Sequence, residues 1–198
     1  DSCFEEHNNP IDLFKKWFSK AEESEINDPN AVAVATADQN NQPNVRMVLL
    51  KNLSEKGFVF YTNFNSKKGK ELKSNQKASM CFHWKSLRRQ VRVIGQVEEV
   101  TTKEADEYYN SRPYKNRISA WASSQSQVLD NRETFLKKIK EFEKKYPDQK
   151  KVPRPPYWSG WRLLPDEIEF WVDGEGRIHE RLNYKKSKNT WVKEILYP

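Results

Sequence analysis

The sequence predicts a mainly β protein with helical insertions (α+β), an antiparallel barrel and not a doubly wound parallel sheet. Two observations carry this. About eight short strand-like runs follow one another at close spacing, most joined by turn signals, with three or four helical patterns between them. The six glycines also include no Gly-rich strand-to-helix turn, since Gly174-Glu-Gly176 is the only close pair. A length of 198 residues fits a single domain, 1–198, and 7 Trp, 8 Tyr and 10 Phe supply a core despite 32% charged residues. Disorder as the main state is excluded.

Pro10 opens a helix over about 11–22, because Ile11, Phe14, Trp17, Phe18 and Ala21 recur three and four residues apart. Ala31–Thr36 and Val45–Lys51 read as strands joined by the polar turn from Asp38 to Pro43, hence a hairpin. Phe58–Thr62 follows the turn Glu55-Lys56-Gly57. Ser66 caps a short Lys-rich helix ending near Asn75. Lys77–Trp84 alternates, with Ala78, Met80 and Phe82 on one face, and Gln90–Val100 is a longer strand in which Gly95 marks a bulge. Thr101-x-x-Glu104 is a capping box for a helix running to Ser111, and Asp130-x-x-Glu133 opens a longer one toward Tyr146. After a Pro/Lys-rich connector, Trp158–Leu164, Ile168–Val172, Arg177–Asn183 and Thr190–Leu196 read as four more strands.

Several function classes lose their usual carriers. Cys3 and Cys81 make no disulfide framework, and with only His7, His83 and His179 no zinc cage is expected, so the metal expectation is none. The cysteine usage points to a reducing compartment, hence the cytoplasm. No apolar run reaches membrane-span length, and the first residues show no signal pattern, while the missing initial Met suggests residues upstream of Asp1. There is no nucleophile elbow, metalloprotease helix or P-loop. The net charge of +7 admits nucleic acid, a membrane surface or an anionic small molecule. Much of the excess lies in Arg132–Arg154, where the stripe Phe135, Leu136, Ile139 and Phe142 favours a plain solvated helix face.

What remains is a set of cations at strand ends and helix starts. Arg46 and Lys51 bracket the apolar run Met47–Leu50; five apart on a strand they point to opposite faces, and serve two anions or solvate two strand ends. Tyr61-Thr62 followed by Ser66-Lys67-Lys68 is a strand and helix start suited to phosphate, or a plain cap with solvated lysines. Tyr108 and Arg112 lie four apart at a helix end; the pair suits a phosphate monoester, or Arg112 pairs with Glu104 or Glu107. Arg177, His179 and Arg181 alternate on a strand and share one face, where they repel unless an anion or polar ligand lies against them.

These segments, in this order, resemble the pyridoxamine 5′-phosphate oxidases, flavoenzymes with an FMN-binding split β-barrel of antiparallel Greek-key type. The resemblance rests on Arg46-Met-Val-Leu-Leu-Lys51, Phe60-Tyr-Thr-Asn63 with Ser66-Lys-Lys68, and Arg89-Gln-Val-Arg-Val-Ile-Gly95. It continues through Tyr108–Pro113, Ala120-Trp-Ala-Ser-Ser-Gln-Ser126, Ile168-Glu-Phe-Trp171 and Arg177-Ile-His-Glu-Arg181. The helix at 11–21 and the closing Leu196-Tyr-Pro198 match the family's ends, and residues from about 157 to 198 its C-terminal segment.

The resemblance implies FMN contacts at Arg46, Met47, Val48, Leu49, Leu50, Lys51, Tyr61, Thr62, Lys67, Lys68, Gln90, Gln125, Ser126, Trp171 and Arg181. It implies substrate contacts at Lys51, Tyr108, Arg112, Asn116, Arg177, Ile178 and His179, with Arg177 and His179 nearest the chemistry. The implied reaction oxidises pyridoxamine or pyridoxine 5′-phosphate to pyridoxal 5′-phosphate, with O2 as acceptor, giving H2O2 and, from the amine, ammonia. The implied assembly is a homodimer with FMN at the subunit interface, without nucleic acid or membrane. Asn116, Ile178, Glu180 and Val172 stand where the family usually has Ser, Leu, Asp and Gln. A flavin reductase on the same barrel would share the FMN set but lack Lys51, Tyr108, Arg112, Arg177 and His179. A basic nucleic-acid-binding barrel fits the charge and aromatics, and predicts a colourless protein.

Overall fold

The computed structural model describes residue 4 and residues 7–198; Cys3, read above as outside any disulfide framework, lies outside the described residues. Helix α1 (Pro10–Ser24) starts where Asn9 accepts the Ile11 N–H and Pro10 fills the first helical position. Its apolar face buries Ile11, Leu13, Phe14, Trp17 and Ala21. Phe14 packs edge-on against Phe58 and Phe82 at 5.0 and 4.9 Å, and Trp17 against Phe170 at 5.2 Å. The helix thus plugs the sheet face on which Val32, Val34, Val91, Val93 and Ile168 are also buried. Large-to-Ala changes at such positions cost about 3–5 kcal/mol.

The strands are β1 (Ala31–Ala37), β2 (Pro43–Leu49), β3 (Asn52–Ser54), β4 (Gly57–Asn63), β5 (Lys77–Trp84), β6 (Arg89–Glu99), β7 (Trp158–Val172), β8 (Glu180–Ser187) and β9 (Thr190–Leu196). All pairings are antiparallel in the order β2-β1-β5-β6-β7-β4-β3, with β8 on β7 and β9 on β8. The sheet curls into a half-barrel: just beyond β2, the Lys51 N–H reaches the Val59 carbonyl of β4 at 2.9 Å. The expected antiparallel, barrel-like class is what the chain adopts.

Three readings of the C-terminal third and the helices need correction. Trp158–Leu164 and Ile168–Val172 are one 15-residue strand, which runs on through Pro165 opposite a register shift between Ile94 and Gly95. The strand expected to start at Arg177 starts at Glu180; Glu175–Arg177 is a 3₁₀ turn with Gly176 and Arg177 at φ of 66° and 64°. The cap of α5 (Arg132–Lys145) is Asn131, whose side chain accepts the Thr134 N–H, and not Asp130.

Helices α2 (Lys67–Ser74) and α3 (Thr102–Ser111) match their caps, with Ser66 accepting from Gly69 and the Thr101/Glu104 box closed in both directions. Helix α4 (Tyr114–Ala122) was not anticipated: it opens on Pro113 with no side-chain cap. It packs with α5 and Trp158 in a second cluster around Tyr109, Ile118 and Val152.

Candidate active site

Strands β2 and β4, the loop after β2 and helices α2, α3 and α4 surround a cavity of about 620 Å3. Eleven of the residues singled out from the sequence line it: Arg46, Met47, Val48, Leu49, Lys51, Tyr61, Thr62, Lys68, Tyr108, Arg112 and Gln125. Arg46 and Lys51 were expected to face opposite ways. They share one cavity because β2 ends at Leu49, so the alternation does not extend to Lys51.

One group of cations gathers where α2 meets β2. Lys68 is 8% exposed, and its Nζ donates to Thr62 Oγ1 and Gln125 Oε1, both at 3.0 Å. Burial, with Arg46 nearby, pushes its pKa down from 10.5 to about 8. Arg46 donates to the Val34 carbonyl and Thr36 Oγ1, and lies 3.9 Å from the buried Glu71. Glu71 also accepts from Thr36 and Asn44, so its two oxygens are committed to holding the strand pair and α2 together.

The second group stands on an aromatic wall. Tyr61 stacks on Tyr108 (4.1 Å) and on Trp158 (5.4 Å), and those two stack on each other at 6.0 Å. The Arg112 guanidinium lies over the Trp158 ring at 4.7 Å, and Lys51 Nζ is 5.9 Å from the Tyr108 ring. Arg112 pairs with neither Glu104 nor Glu107: those acids pair with Arg162 and Lys103. Its Nη1 is buried without a hydrogen-bond partner, and burial lowers its pKa. An unpartnered cation in a cavity wall is expensive unless an anion answers it.

Asn63, Ser119, Ala120, Ser123, Phe135 and Trp158 line the same cavity and were missed as site residues. Asn63, Ala120 and Ser123 lay inside the matching segments; Ser119 needed α4 to be recognised, and Trp158 was read only as the start of a strand. Asn116 sits one turn before Ser119 on α4 and is exposed. Leu50 is buried in the core, whereas Lys67 and Ser126 are exposed, Ser126 with φ of 68°. None of these four lines the cavity.

The remaining candidates lie elsewhere on the chain. Gln90, Trp171 and Arg181 form one lateral row across β6, β7 and β8. Arg177 and His179 do not share a strand face with Arg181, because the turn intervenes; with Arg88, Trp171 and Asp173 they line a second hollow. For two of the three, Arg181 and His179, the protein's own carboxylates stand opposite. Glu169 holds Arg181 through both oxygens (2.8 and 3.2 Å), which raises the Arg181 pKa. Asp173 pairs with Arg88 and lies 3.1 Å from His179 Nδ1, which also accepts the Gly174 N–H at 3.1 Å. Ile178 is 73% exposed. Among the described residues, no three His, Cys, Asp or Glu side chains converge as a metal site, and no helix is long and apolar enough to cross a membrane.

Two family models match this chain. One described as pyridoxamine 5′-phosphate oxidase matches residues 18–146, and one described as pyridoxine 5′-phosphate oxidase C-terminal dimerisation region matches 158–198. A pyridoxine/pyridoxamine 5′-phosphate oxidase of Pelagibacter ubique (strain HTCC1062) is 59% identical over 199 residues, covering 100% of this chain and 96% of that one. One of Agrobacterium fabrum is 52% identical, with the same coverage. The crystal structure of PhzG from Burkholderia lata 383, in complex with tetrahydrophenazine-1-carboxylic acid, superposes with a TM-score of 0.91 at 31% identity, covering 97% of this chain and 94% of that one. An FMN-binding, pyridoxamine 5′-phosphate oxidase-related protein of Nostoc punctiforme shares the fold at TM-score 0.74 and 16% identity.

Proposed function

The chain belongs to the pyridoxamine 5′-phosphate oxidase family, and from that premise we propose that it is an FMN-dependent oxidase of phosphorylated B6 vitamers. It converts pyridoxamine or pyridoxine 5′-phosphate to pyridoxal 5′-phosphate, with O2 as acceptor, yielding H2O2 and, from the amine, ammonia. The observation that carries this reading is the pairing of two cation groups around one cavity, Arg46 with Lys68 and Lys51 with Arg112. Two phosphates, one on cofactor and one on substrate, ask for that many cations.

The residues fit FMN. Lys68 has hydroxyl and amide partners but no carboxylate within hydrogen-bond reach, so a phosphate beside it and Arg46 offsets its burial. Bound FMN supplies the two-electron redox chemistry. Thr62 and Gln125 hold the Lys68 ammonium, and Met47, Val48 and Leu49 give the cofactor an apolar strand to lie along. Lys51, Tyr108 and Arg112 grip the substrate phosphate, and that remote binding orients the reacting carbon. Arg177 and His179 face the pyridine ring. With Nδ1 engaged by Asp173 and the Gly174 N–H, Nε2 is the ring nitrogen left for a ligand.

The protein is a homodimer, in keeping with its dimerisation region. We place the FMN site at the subunit interface, where Arg177, Ile178 and His179 of one chain complete the cavity of the other. Support comes from exposed apolar side chains beside the cavity (Val45, Met47) and on the C-terminal hairpin and tail (Ile195, Tyr197). Gln90, Trp171 and Arg181 then reach the flavin as a row, with Leu50, Lys67 and Ser126 supporting it from outside the cavity lining and Asn116 supporting the substrate. We read 1–198 as one FMN-binding split-barrel unit working in the cytoplasm, its Cys81 a free thiol.

Mixing tests the shared site. Arg112→Ala and His179→Ala homodimers are each weak; after subunit exchange, half the dimers are mixed and each carries one intact site, so roughly a quarter of wild-type activity returns. No recovery despite verified exchange would place all substrate groups on one chain.

A further inference from the structure

We propose that Arg162 and Glu104 are positioning residues: their ion pair sets the seat of α3 on the sheet and thereby places Tyr108 and Arg112 at the substrate phosphate. The inference rests on the function proposed above and names residues outside the cavity lining.

Arg162 is 6% exposed in the middle of β7, between Val59 of β4 and Glu98 of β6. Its Nη1 donates to Glu98 Oε1 at 3.2 Å and its Nη2 to Glu104 Oε1. Glu104 stands at the third position of α3 and does a second job with its other oxygen. Oε2 accepts the Thr101 N–H at 2.8 Å and the Thr101 hydroxyl at 3.0 Å, closing the capping box. Those hydrogen bonds and Arg162 hold the carboxyl below its ordinary range. One carboxylate therefore ties the start of α3 both to itself and to a buried cation of the sheet.

What α3 carries makes this tie functional. Tyr108 lies four residues beyond Glu104, one helical turn along the same face, and stacks on Tyr61 of β4. Arg112 is the residue that ends the helix and covers Trp158 of β7. The Tyr61 hydroxyl also reaches the Glu104 carbonyl at 3.4 Å. Ala105 is the one buried residue of the first turn, against Val59 and Val100, and just beyond it Asp106 pairs with Arg154, whose Nη1 donates to the Trp158 carbonyl. A shift of α3 at Glu104 moves Tyr108 and Arg112 with it and loosens their hold on the remote phosphate.

Glu104→Gln separates the two jobs, because Gln still closes a capping box but carries no charge for Arg162. Thr101→Ala does the reverse, removing the cap and leaving the ion pair. In the FMN-loaded enzyme, Glu104→Gln should raise KM for pyridoxamine 5′-phosphate, and Ki for inorganic phosphate, about three- to tenfold, with kcat and flavin content near wild type. Thr101→Ala should lower Tm and leave KM unchanged. Arg162→Gln combined with Glu104→Gln should be no worse in KM than either alone. A Glu104→Gln enzyme with lowered Tm but wild-type KM and Ki overturns the positioning role and leaves the oxidase reading intact. Absence of turnover in the wild-type holoenzyme overturns the oxidase reading and this inference with it.

Discussion

The guanidinium of Arg112 lies over Trp158, 4.7 Å from the ring centre, with its Nη1 buried and unpartnered, although Glu104 and Glu107 stand on the same helix. The Trp158 ring holds the cation in place, and the lack of a carboxylate leaves its donors for a ligand. Arg112→Ala should therefore raise the apparent KM with flavin content unchanged. Charge-assisted hydrogen bonds contribute about 1.5–3 kcal/mol, so kcat/KM should fall roughly ten- to hundredfold. Unaltered steady-state kinetics would make Arg112 a packing residue.

Lys68 gives the proposed cofactor site a pH signature. Its pKa falls from 10.5 to about 8 on folding, so between those values the unfolded chain holds a proton that the folded apoprotein has lost. This group thus makes apoprotein stability rise with pH across about 8–10.5, and opposes folding most below 8, where the buried ammonium is charged. FMN binding should run the other way, weakening as pH rises above about 8, with proton uptake on binding. Titration calorimetry in buffers of different ionisation enthalpy reads that uptake. Equal uptake in Lys68→Met would assign it to another group.

Arg181 and His179 should separate by task. Arg181 is locked by Glu169 in the row with Trp171, and His179 by Gly174 and Asp173 across the turn. Arg181→Ala should weaken FMN retention. His179→Ala should stay yellow and lose turnover or substrate affinity. Flavin occupancy measured beside steady-state rates tells them apart, and His179→Ala losing FMN while Arg181→Ala keeps it would invert the assignment.

Gly95 is a stability test of the bulge. A Cβ there would sit 2.0 Å from the Leu164 carbonyl oxygen, a backbone atom that cannot swing aside. Gly95→Ala should lower thermal stability by several degrees or more, each 1 kcal/mol shifting Tm by about 2–4 °C at this size. An unchanged Tm would mean that β6 and β7 separate there at little cost.

What the sequence disclosed was mainly local. The Thr101/Glu104 box, the Ser66 cap, the Gly95 bulge and the alternation of β5 depend on neighbours a few residues apart, and all are present. The joint service of Arg46 and Lys51 was hidden because it depends on where β2 stops. Helix α4 escaped because Pro113 offers no side-chain cap, and Ser119 went with it. Arg181 looked unpaired because its carboxylate, Glu169, is a diagonal cross-strand neighbour twelve residues earlier, visible only once β7 and β8 are in register.

The most direct measurement is product formation by the purified, FMN-loaded dimer supplied with pyridoxamine 5′-phosphate and O2. Pyridoxal 5′-phosphate and H2O2 should appear in equal amounts, with unphosphorylated pyridoxamine a far poorer substrate because Lys51 and Arg112 lose their anion. A yellow, folded protein that forms no pyridoxal 5′-phosphate, or that oxidises the unphosphorylated amine equally well, would contradict the account.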